Sequence, residues 1–513
     1  MRGDLDFFVA GSDSASTTLT YTLPLCTVEG RRLTLIGVKA IGQSAAFSIP
    51  RLWEATTTVK LRILDSNNNS LGAGVVRISL LSFWRQMRTF HTIRPRLSSL
   101  PVLLIFLLYF IIQLSLVFFY PLILFCGILS PTRAHSQATT AKQQPSEILE
   151  ILTSDNAKIR LDVYDPIQPL GTESEVGKQS QPPILFLPGI TGLNTSHSIF
   201  ALPFQRCNMV KYFSSRGHRC YVLTPRWSHD GQTAKDCTVF DSRLDIAAAI
   251  HHISSTSPTR DNSSQKPYII AHCQGSVALA MALLTGTVKP EQLLGITANS
   301  VFMNQVFGYW NSVKASSTLL IRAYEFLDGP YFPISFLERR KDLLQHILDF
   351  LLSLYPVARR DRCTSPSCHR TSFAFGLLWN HENLDQEIHG NIDTFFAGTF
   401  TRCLEHITRM GCAGSCLNNN LEQLLTQKSL QNIRGVPILF MSGSENQVFN
   451  PESTLRDYEL LRRTFGEHMY RRFLVERYGH LDTIVGSHAD KDVYWKVEGH
   501  IDWCLRNRTA GTE

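Results

Sequence analysis

The residues best suited to catalysis lie around Cys273, in the sequence Ala271-His272-Cys273-Gln274-Gly275. An apolar run of strand length, PYII, precedes them, and the apolar helical sequence SVALAMALL follows them. A side chain that projects from a sharp strand-to-helix turn requires small residues two positions before it and two positions after it, as Ala271 and Gly275 are. The pattern therefore predicts a nucleophile elbow with cysteine where serine is usual. A buried structural cysteine in an ordinary turn is the alternative.

Partners for this thiol follow later in the chain. The apolar run VPILFMSG leads into Glu445 and Asn446, where the acid of a catalytic triad is expected, and His480 follows the last apolar run. We predict that His480 is the acid/base partner of Cys273 and that Asn446 orients its ring, with Glu445 as the alternative. Asparagine is compatible with a thiol nucleophile because a thiolate can form beside an imidazolium before attack, as in Cys-His-Asn sites. Asp482 is expected to be a structural hydrogen-bond acceptor.

A second loop is expected to supply the oxyanion site. The sequence LPGITG at 187–192 follows the first apolar run of the C-terminal region, and its glycines permit a tight backbone. We predict that the backbone N–H groups of Ile190 and Gln274 form the oxyanion pair. The position of Cys273 at a helix N-terminus also predicts stabilisation of its thiolate by the helix dipole. A plain strand-to-loop turn is the alternative for 187–192.

The elements that must position these residues begin at Pro183. From there, apolar runs such as ILFLPG, RCYVLTP, LLGITANS and PILFMSG alternate with helical segments. This alternation predicts an α/β fold with a parallel sheet covered on both faces. The predicted division of the chain is a β-rich domain at 1–98, an apolar membrane-associated segment at 99–130, a polar linker with short strands at 131–182, the first part of the α/β core at 183–304, a helical cap at 305–430 and the last part of the core at 431–507.

The segment 99–130 differs from the rest of the chain. No charged residue lies between Arg96 and Arg133, and VLLIFLLYFIIQLSLVFF is long enough to cross a hydrocarbon core. We therefore predict membrane insertion or embedding and a membrane-associated protein. A kinked helix at Pro121, a re-entrant hairpin and a helix buried in a large core remain open as alternatives.

Overall composition limits the classes of partner. The net charge is +7, from 50 basic and 43 acidic residues without a long basic tract, so nucleic acid is not an expected partner. A weak attraction to anionic membrane surfaces fits this balance better. The cysteine spacings in the cap, Cys363-x4-Cys368 and Cys412-x3-Cys416, are looser than the usual zinc pairs, and no metal is predicted.

With these motifs in place, the chain resembles the C-terminal α/β-hydrolase region of cholesterol-oxidase-like flavoproteins linked to the glucose-methanol-choline oxidoreductase family. The resemblance covers roughly residues 180–503 and runs through AHCQGS, YPVARRDRCTSPSCHRTSFAFGLLWNHENLDQEIH, LFMSGSENQVFNPEST and ERYGHLDTIVG. RLWEATTTVKLRI and GVVRISLLSFWRQMRTF are similar to the short β domain that precedes that region. The resemblance implies an α/β-hydrolase fold. The GxGxxG turn that would seat a flavin does not occur in this sequence, so no cofactor is predicted.

Together these patterns predict a membrane-associated α/β-hydrolase that cleaves a lipid-like ester, thioester or lactone. Cys273 would attack the acyl carbonyl with His480 as acid/base, and water would then hydrolyse the acyl-thioester. A thiol nucleophile favours activated acyl groups, so thioesters and lactones are candidate substrates as well as esters. The alternatives are a non-catalytic lipid-binding homologue and an accessory partner of a separate flavin-binding oxidase subunit in sterol oxidation.

Overall fold

The computed structural model describes residues 4–10, 17–27, 31–41, 48–65, 70–79, 82, 85, 99–119, 144–167, 181–229, 231–256, 266–335, 338, 343–355, 357–363 and 365–509. Two compact units divide the chain: Met1–Gln137 with Arg340–His369, and Ala138–Arg339 with Arg370–Glu513. The predicted kink at Pro121 and half of the predicted linker at 131–182 (131–143 and 168–180) lie outside the described residues.

The described residues form strands and α-helices in both units. In chain order, the strands are β1 Asp4–Ala10, β2 Thr17–Cys26, β3 Arg32–Ile41, β4 Thr58–Leu64, β5 Ser70–Arg77, β6 Glu147–Leu152, β7 Lys158–Tyr164, β8 Ile184–Leu187, β9 Cys220–Thr224, β10 Tyr268–His272, β11 Gly295–Asn299, β12 Tyr331–Phe332, β13 Thr399–Phe400, β14 Ile438–Gly443 and β15 Tyr470–Val475. The α-helices are α1 Ile49–Thr57, α2 Ser99–Phe118, α3 Met209–Ser214, α4 Arg226–His229, α5 Gly231–Asp236, α6 Arg243–Thr256, α7 Gln274–Leu284, α8 Tyr309–Ala315, α9 Leu319–Asp328, α10 Leu343–Ser353, α11 Pro366–Phe375, α12 Gln386–Gly390, α13 Ile392–Phe395, α14 Thr401–Ala413, α15 Gln427–Leu430, α16 Glu452–Phe465, α17 Asp482–Val485, α18 Ala489–Asp492 and α19 Tyr494–Thr509.

The second unit is built on an eight-stranded sheet in the order β6-β7-β9-β8-β10-β11-β14-β15. Strand β7 is antiparallel to both of its neighbours, and the pairs from β9 to β15 are parallel. Counted along the chain, this is the order 1-2-4-3-5-6-7-8 with an antiparallel second strand, which is the order of the α/β-hydrolase fold. Every residue of β8, β10, β11 and β14 is buried, which explains the continuous apolar runs in the sequence. The predicted α/β-hydrolase fold is confirmed, and its sheet also includes β6 and β7, which lie in the stretch 131–182 predicted as a polar linker with short strands.

Helices and a short hairpin lie between β11 and β14. Helices α8 and α9 of the second unit pack on α14, and β12 pairs with β13 in an antiparallel hairpin. The amide N–H of Met303 and that of Asn304 donate to the buried Asp457 carboxylate of α16, at 3.0 and 3.1 Å. The start of this inserted region is therefore fixed to the core.

The first unit has its own five-stranded antiparallel sheet in the order β1-β2-β3-β4-β5. Helix α2 takes up the first part of the apolar stretch predicted at 99–130. Leu114 and Val117 of this helix pack against Leu19 and Ile41 of the sheet, together with Leu52 of α1. Among the described residues, no helix has both the length and the hydropathy that crossing a bilayer requires.

Candidate active site

Cys273 is the single residue of the turn between β10 and α7. Its backbone angles are φ 54° and ψ −128°, a conformation that costs a non-glycine residue free energy and is typical of a nucleophile elbow. The turn is held on both sides, because the Cys273 N–H donates to Asn299 O at 3.1 Å and the Ser276 N–H donates to Cys273 O at 2.9 Å. Cys273, which is partly exposed as a residue, therefore lies at the carboxyl edge of the sheet.

The small residues around Cys273 are required by close backbone contacts. A Cβ at Gly275 would lie 2.4 Å from Pro188 O and 2.7 Å from Leu187 O. A Cβ at Gly189 would lie 2.7 Å from the Cβ of Cys273 and 3.2 Å from its Sγ. The structure thus brings the predicted oxyanion loop, which carries Ile190, directly against the thiol.

Burial determines the protonation state of the reacting groups. It raises the pKa of the Cys273 thiol to about 12, although a hydrogen bond from the Gln274 backbone acts in the opposite direction. Burial is the main cause that holds the pKa of His480 well below its ordinary value, and the neighbouring His272 lowers this pKa further. Cys273 therefore rests as a thiol and His480 as a neutral imidazole, and among the described residues no hydrogen bond joins the two side chains. The preformed thiolate–imidazolium pair expected from the sequence is not favoured, because burial disfavours the charged form of each group.

The pH dependence of thiol alkylation tests this protonation state. We expect alkylation of Cys273 by iodoacetamide to keep accelerating above about pH 10, whereas an ordinary thiol with a pKa near 8.5 levels off. The Cys273→Ala protein gives the background from the other thiols, which is subtracted. A plateau below about pH 8 would instead reveal a thiolate–imidazolium pair and contradict this assignment.

His480 follows β15 and is held by packing. Its ring centroid lies 4.6 Å from that of His272 and 6.0 Å from that of Phe449. Its backbone N–H donates to Leu378 O at 3.1 Å. Within the described part of the chain, its Nδ1 atom has no hydrogen-bond partner. The ring therefore packs against two other rings, and its Nδ1 is not bonded to a carboxylate or an amide of the described residues.

Asn446 has a different role from the one that the sequence predicted. Its Oδ1 accepts the N–H groups of Val448 and Phe449 at 3.0 and 3.1 Å, and its Nδ2 lies 3.5 Å from Ser442 Oγ. The amide oxygen therefore closes the turn after β14. The predicted hydrogen bond from Asn446 to His480 is not formed, because the backbone of its own loop uses this oxygen.

The two acidic residues near His480 are also engaged by the loops around them. Glu445 accepts Asn380 Nδ2 at 3.0 Å. Asp482 accepts the Gly479 N–H at 3.0 Å and Asn383 Nδ2 at 2.6 Å, and burial raises its pKa to about 6. Asp482 thus holds the loop of His480 in place, in agreement with the structural role expected from the sequence.

Sequence reasoning missed His272 as a member of this site. The side chain is buried, its Nδ1 has no hydrogen-bond partner among the described residues, and burial lowers its pKa to about 3. Its place immediately before Cys273 was the available signal. That signal could not show that the ring packs against His480, which is more than 200 positions later in the chain.

Comparisons with known proteins found matches among solved structures. No protein-family model and no curated protein matches the chain. A complex of DcsB with its substrate analogue is 15% identical, covers 70% of this chain and 99% of that chain, and has a TM-score of 0.43. A soluble variant of monoglyceride lipase from Saccharomyces cerevisiae in complex with a substrate analog is 10% identical, covers 72% of this chain and 98% of that chain, and has a TM-score of 0.46. The Pyrococcus furiosus esterase Pf2001 is 11% identical, covers 70% of this chain and 92% of that chain, and has a TM-score of 0.36. The fold assignment rests on the strand order of the eight-stranded sheet.

Proposed function

We propose that this chain is a hydrolase in which Cys273 attacks the acyl carbonyl of a lipid-like ester, thioester or lactone. One observation carries the proposal: Cys273 occupies the strained turn of the elbow, with the Gln274 backbone hydrogen-bonded to its thiol and the loop of Ile190 packed against it. Such a geometry costs free energy and is characteristic of a nucleophile.

The protonation state favours general-base catalysis. His480 removes the thiol proton as sulfur bonds to the acyl carbon, and the N–H groups of Ile190 and Gln274 stabilise the oxyanion. The imidazolium then returns the proton to the leaving oxygen or sulfur as its bond to carbon breaks. Water, deprotonated by His480, attacks the acyl-thioester and regenerates the thiol and the free acid.

Turnover of an acyl panel tests this proposal. Purified wild-type protein and Cys273→Ala are assayed with activated esters, thioesters and lactones of different acyl length. We expect hydrolysis by the wild type and a loss of at least about 10³-fold in the variant. Absence of hydrolysis across the whole panel, or full activity in Cys273→Ala, contradicts the proposal.

Exposed apolar surface supports the lipid-like substrate class. In the inserted region of the second unit, Tyr309, Leu319 and Phe326 are exposed, and Phe326 is 89% exposed. Helix α9, which carries Phe326, has no buried residue. Large exposed apolar side chains are a feature of surfaces that bind lipids or other apolar partners.

We also propose association with an anionic membrane surface through α2. Ile105 and Ile111 on this helix are 68% and 57% exposed, whereas Leu114 and Val117 pack on the sheet. No acidic residue occurs between Asp65 and Glu147, while basic residues do. An exposed apolar helix face in a cationic segment fits an anionic bilayer surface.

Vesicle sedimentation tests the membrane association. We expect the protein to bind anionic vesicles at least about fivefold better than neutral ones, and Ile111→Asp to remove most of this preference. Leu23→Asp, which places the same charge on an exposed sheet position of the same unit, should leave binding unchanged. Equal binding of wild type and Ile111→Asp would contradict the role of α2.

A second candidate function rests on the resemblance to cholesterol-oxidase-like proteins: a partner role beside a separate flavin-binding oxidase subunit. Copurification with a flavoprotein would support it. A colourless protein that turns over acyl substrates alone would count against it.

A further inference from the structure

The loop of Ile190 is bonded to a segment of the inserted region, residues 394–398, which we call the clasp. The Ala397 N–H donates to Thr191 O at 2.8 Å, and the Leu193 N–H donates to Gly398 O at 3.1 Å. Each of the two segments thus donates one backbone hydrogen bond to the other and accepts one from it. The position of the oxyanion loop is therefore tied to the position of the clasp.

Steric contact tightens the same junction. Gly192 has a φ of +95°, and a Cβ at this residue would lie 2.2 Å from Ala397 O and 2.7 Å from Ala397 Cα. The two backbones thus touch without an intervening side chain. A displacement of the clasp must move the loop on which Ile190 lies.

Glu338 holds the clasp from its other side. Its Oε2 accepts the Gly398 N–H at 2.6 Å, and its Oε1 accepts the Tyr331 hydroxyl at 3.2 Å. Tyr331 belongs to β12, which pairs with β13 directly after the clasp. A carboxylate that accepts a backbone N–H makes a stronger hydrogen bond than a neutral acceptor.

We propose that Glu338 is a positioning residue for the oxyanion loop. By holding Gly398, it fixes the clasp, and the clasp in turn fixes the backbone from Gly189 to Gly192 with the Ile190 N–H directed at the acyl oxygen. The catalytic part of this inference rests on the proposed hydrolysis at Cys273. Its structural part, the link from Glu338 to the loop, does not.

Activity of two Glu338 variants tests the catalytic part. Glu338→Ala removes the acceptor, and we expect kcat to fall at least about tenfold with little change in KM, because the oxyanion forms only during reaction. Glu338→Gln keeps an oxygen for the Gly398 N–H and should recover most of kcat. Glu405→Ala, which removes a carboxylate of α14 paired with Arg409, serves as the matched control and should leave kcat unchanged.

Hydrogen exchange tests the structural part without any substrate. In Glu338→Ala, the amides of Leu193 and Ala397 should exchange at least about tenfold faster than in the wild type, while β10 keeps its protection. Glu338→Gln should keep the wild-type rates. Unchanged exchange in Glu338→Ala, or equal acceleration in both variants, overturns the inference. If exchange responds as expected while no variant has activity, the proposed hydrolysis fails and the structural link stands.

Discussion

Replacing Cys273 by serine should lower kcat/KM by about 10²- to 10⁴-fold, although serine is the usual residue of an elbow. A serine hydroxyl gives up its proton less readily than a thiol, so its attack depends more on the imidazolium that forms. His480 is buried, and its Nδ1 has no hydrogen-bond partner among the described residues. That imidazolium would lack the carboxylate that stabilises it in Ser-His-Asp sites. The measurement is steady-state hydrolysis of the best substrate of the panel.

The control for this substitution is Cys412→Ser. Cys412 is exposed, and its thiol donates to Ala315 O at 2.8 Å, away from the elbow. Its replacement should leave kcat/KM unchanged. A Cys273→Ser protein as active as the wild type would contradict the thiol-based mechanism and would require an acidic partner for His480.

Gly275→Ala should destabilise the protein by about 3 kcal/mol or more. The added methyl group would lie 2.4 Å from Pro188 O and 2.7 Å from Leu187 O, both backbone atoms of the neighbouring strand and loop. Relief would require α7 to move away from β8, whose residues are all buried. The measurement is the free energy of unfolding from chemical denaturation, with residual activity as a second readout.

A matched glycine in a different setting gives the control. Gly499 lies within α19 with nothing inside 4 Å of its added Cβ, so Gly499→Ala should be neutral or stabilise by about 1 kcal/mol. Wild-type stability and activity in Gly275→Ala would mean that the turn at Cys273 is not a tight elbow.

The core of the second unit was predictable because its determinants are local. Strands such as Tyr268–His272 are short apolar runs, and the helix after the elbow begins within two residues of the strand. The contacts of Gly275 show why the elbow pattern carries so much information: any larger residue at this position meets the backbone of Pro188. Local spacing and packing therefore lead to the same prediction.

The surroundings of His480 were not predictable in the same way. The spacing suggested Asn446 as its partner, but a side-chain amide can bond either to a distant ring or to its own turn. In the structure the amide bonds to its own turn, since Oδ1 accepts two nearby N–H groups. The contact of His480 with His272 and the pairing of Ala397 with Thr191 join residues far apart in the chain. The spacing of apolar residues along the sequence does not predict such contacts.

The apolar stretch at 99–130 illustrates a further limit of sequence. A run of leucine, isoleucine and phenylalanine can bury its side chains either in a bilayer or against another part of the protein. In α2 one face packs on the sheet at Val117 while Ile105 remains exposed. Both faces of this helix are apolar in the sequence, so only the fold distinguishes the packed one.

The central claim is a covalent acyl group on Cys273. It is tested most directly by intact-mass and peptide analysis after brief exposure to an activated lipid ester, with wild type, Cys273→Ala and Cys412→Ala compared. We predict one acyl adduct on the peptide that contains Cys273, released by neutral hydroxylamine as a thioester is, present in Cys412→Ala and absent in Cys273→Ala. The same adduct and the same turnover in Cys273→Ala would contradict the claim.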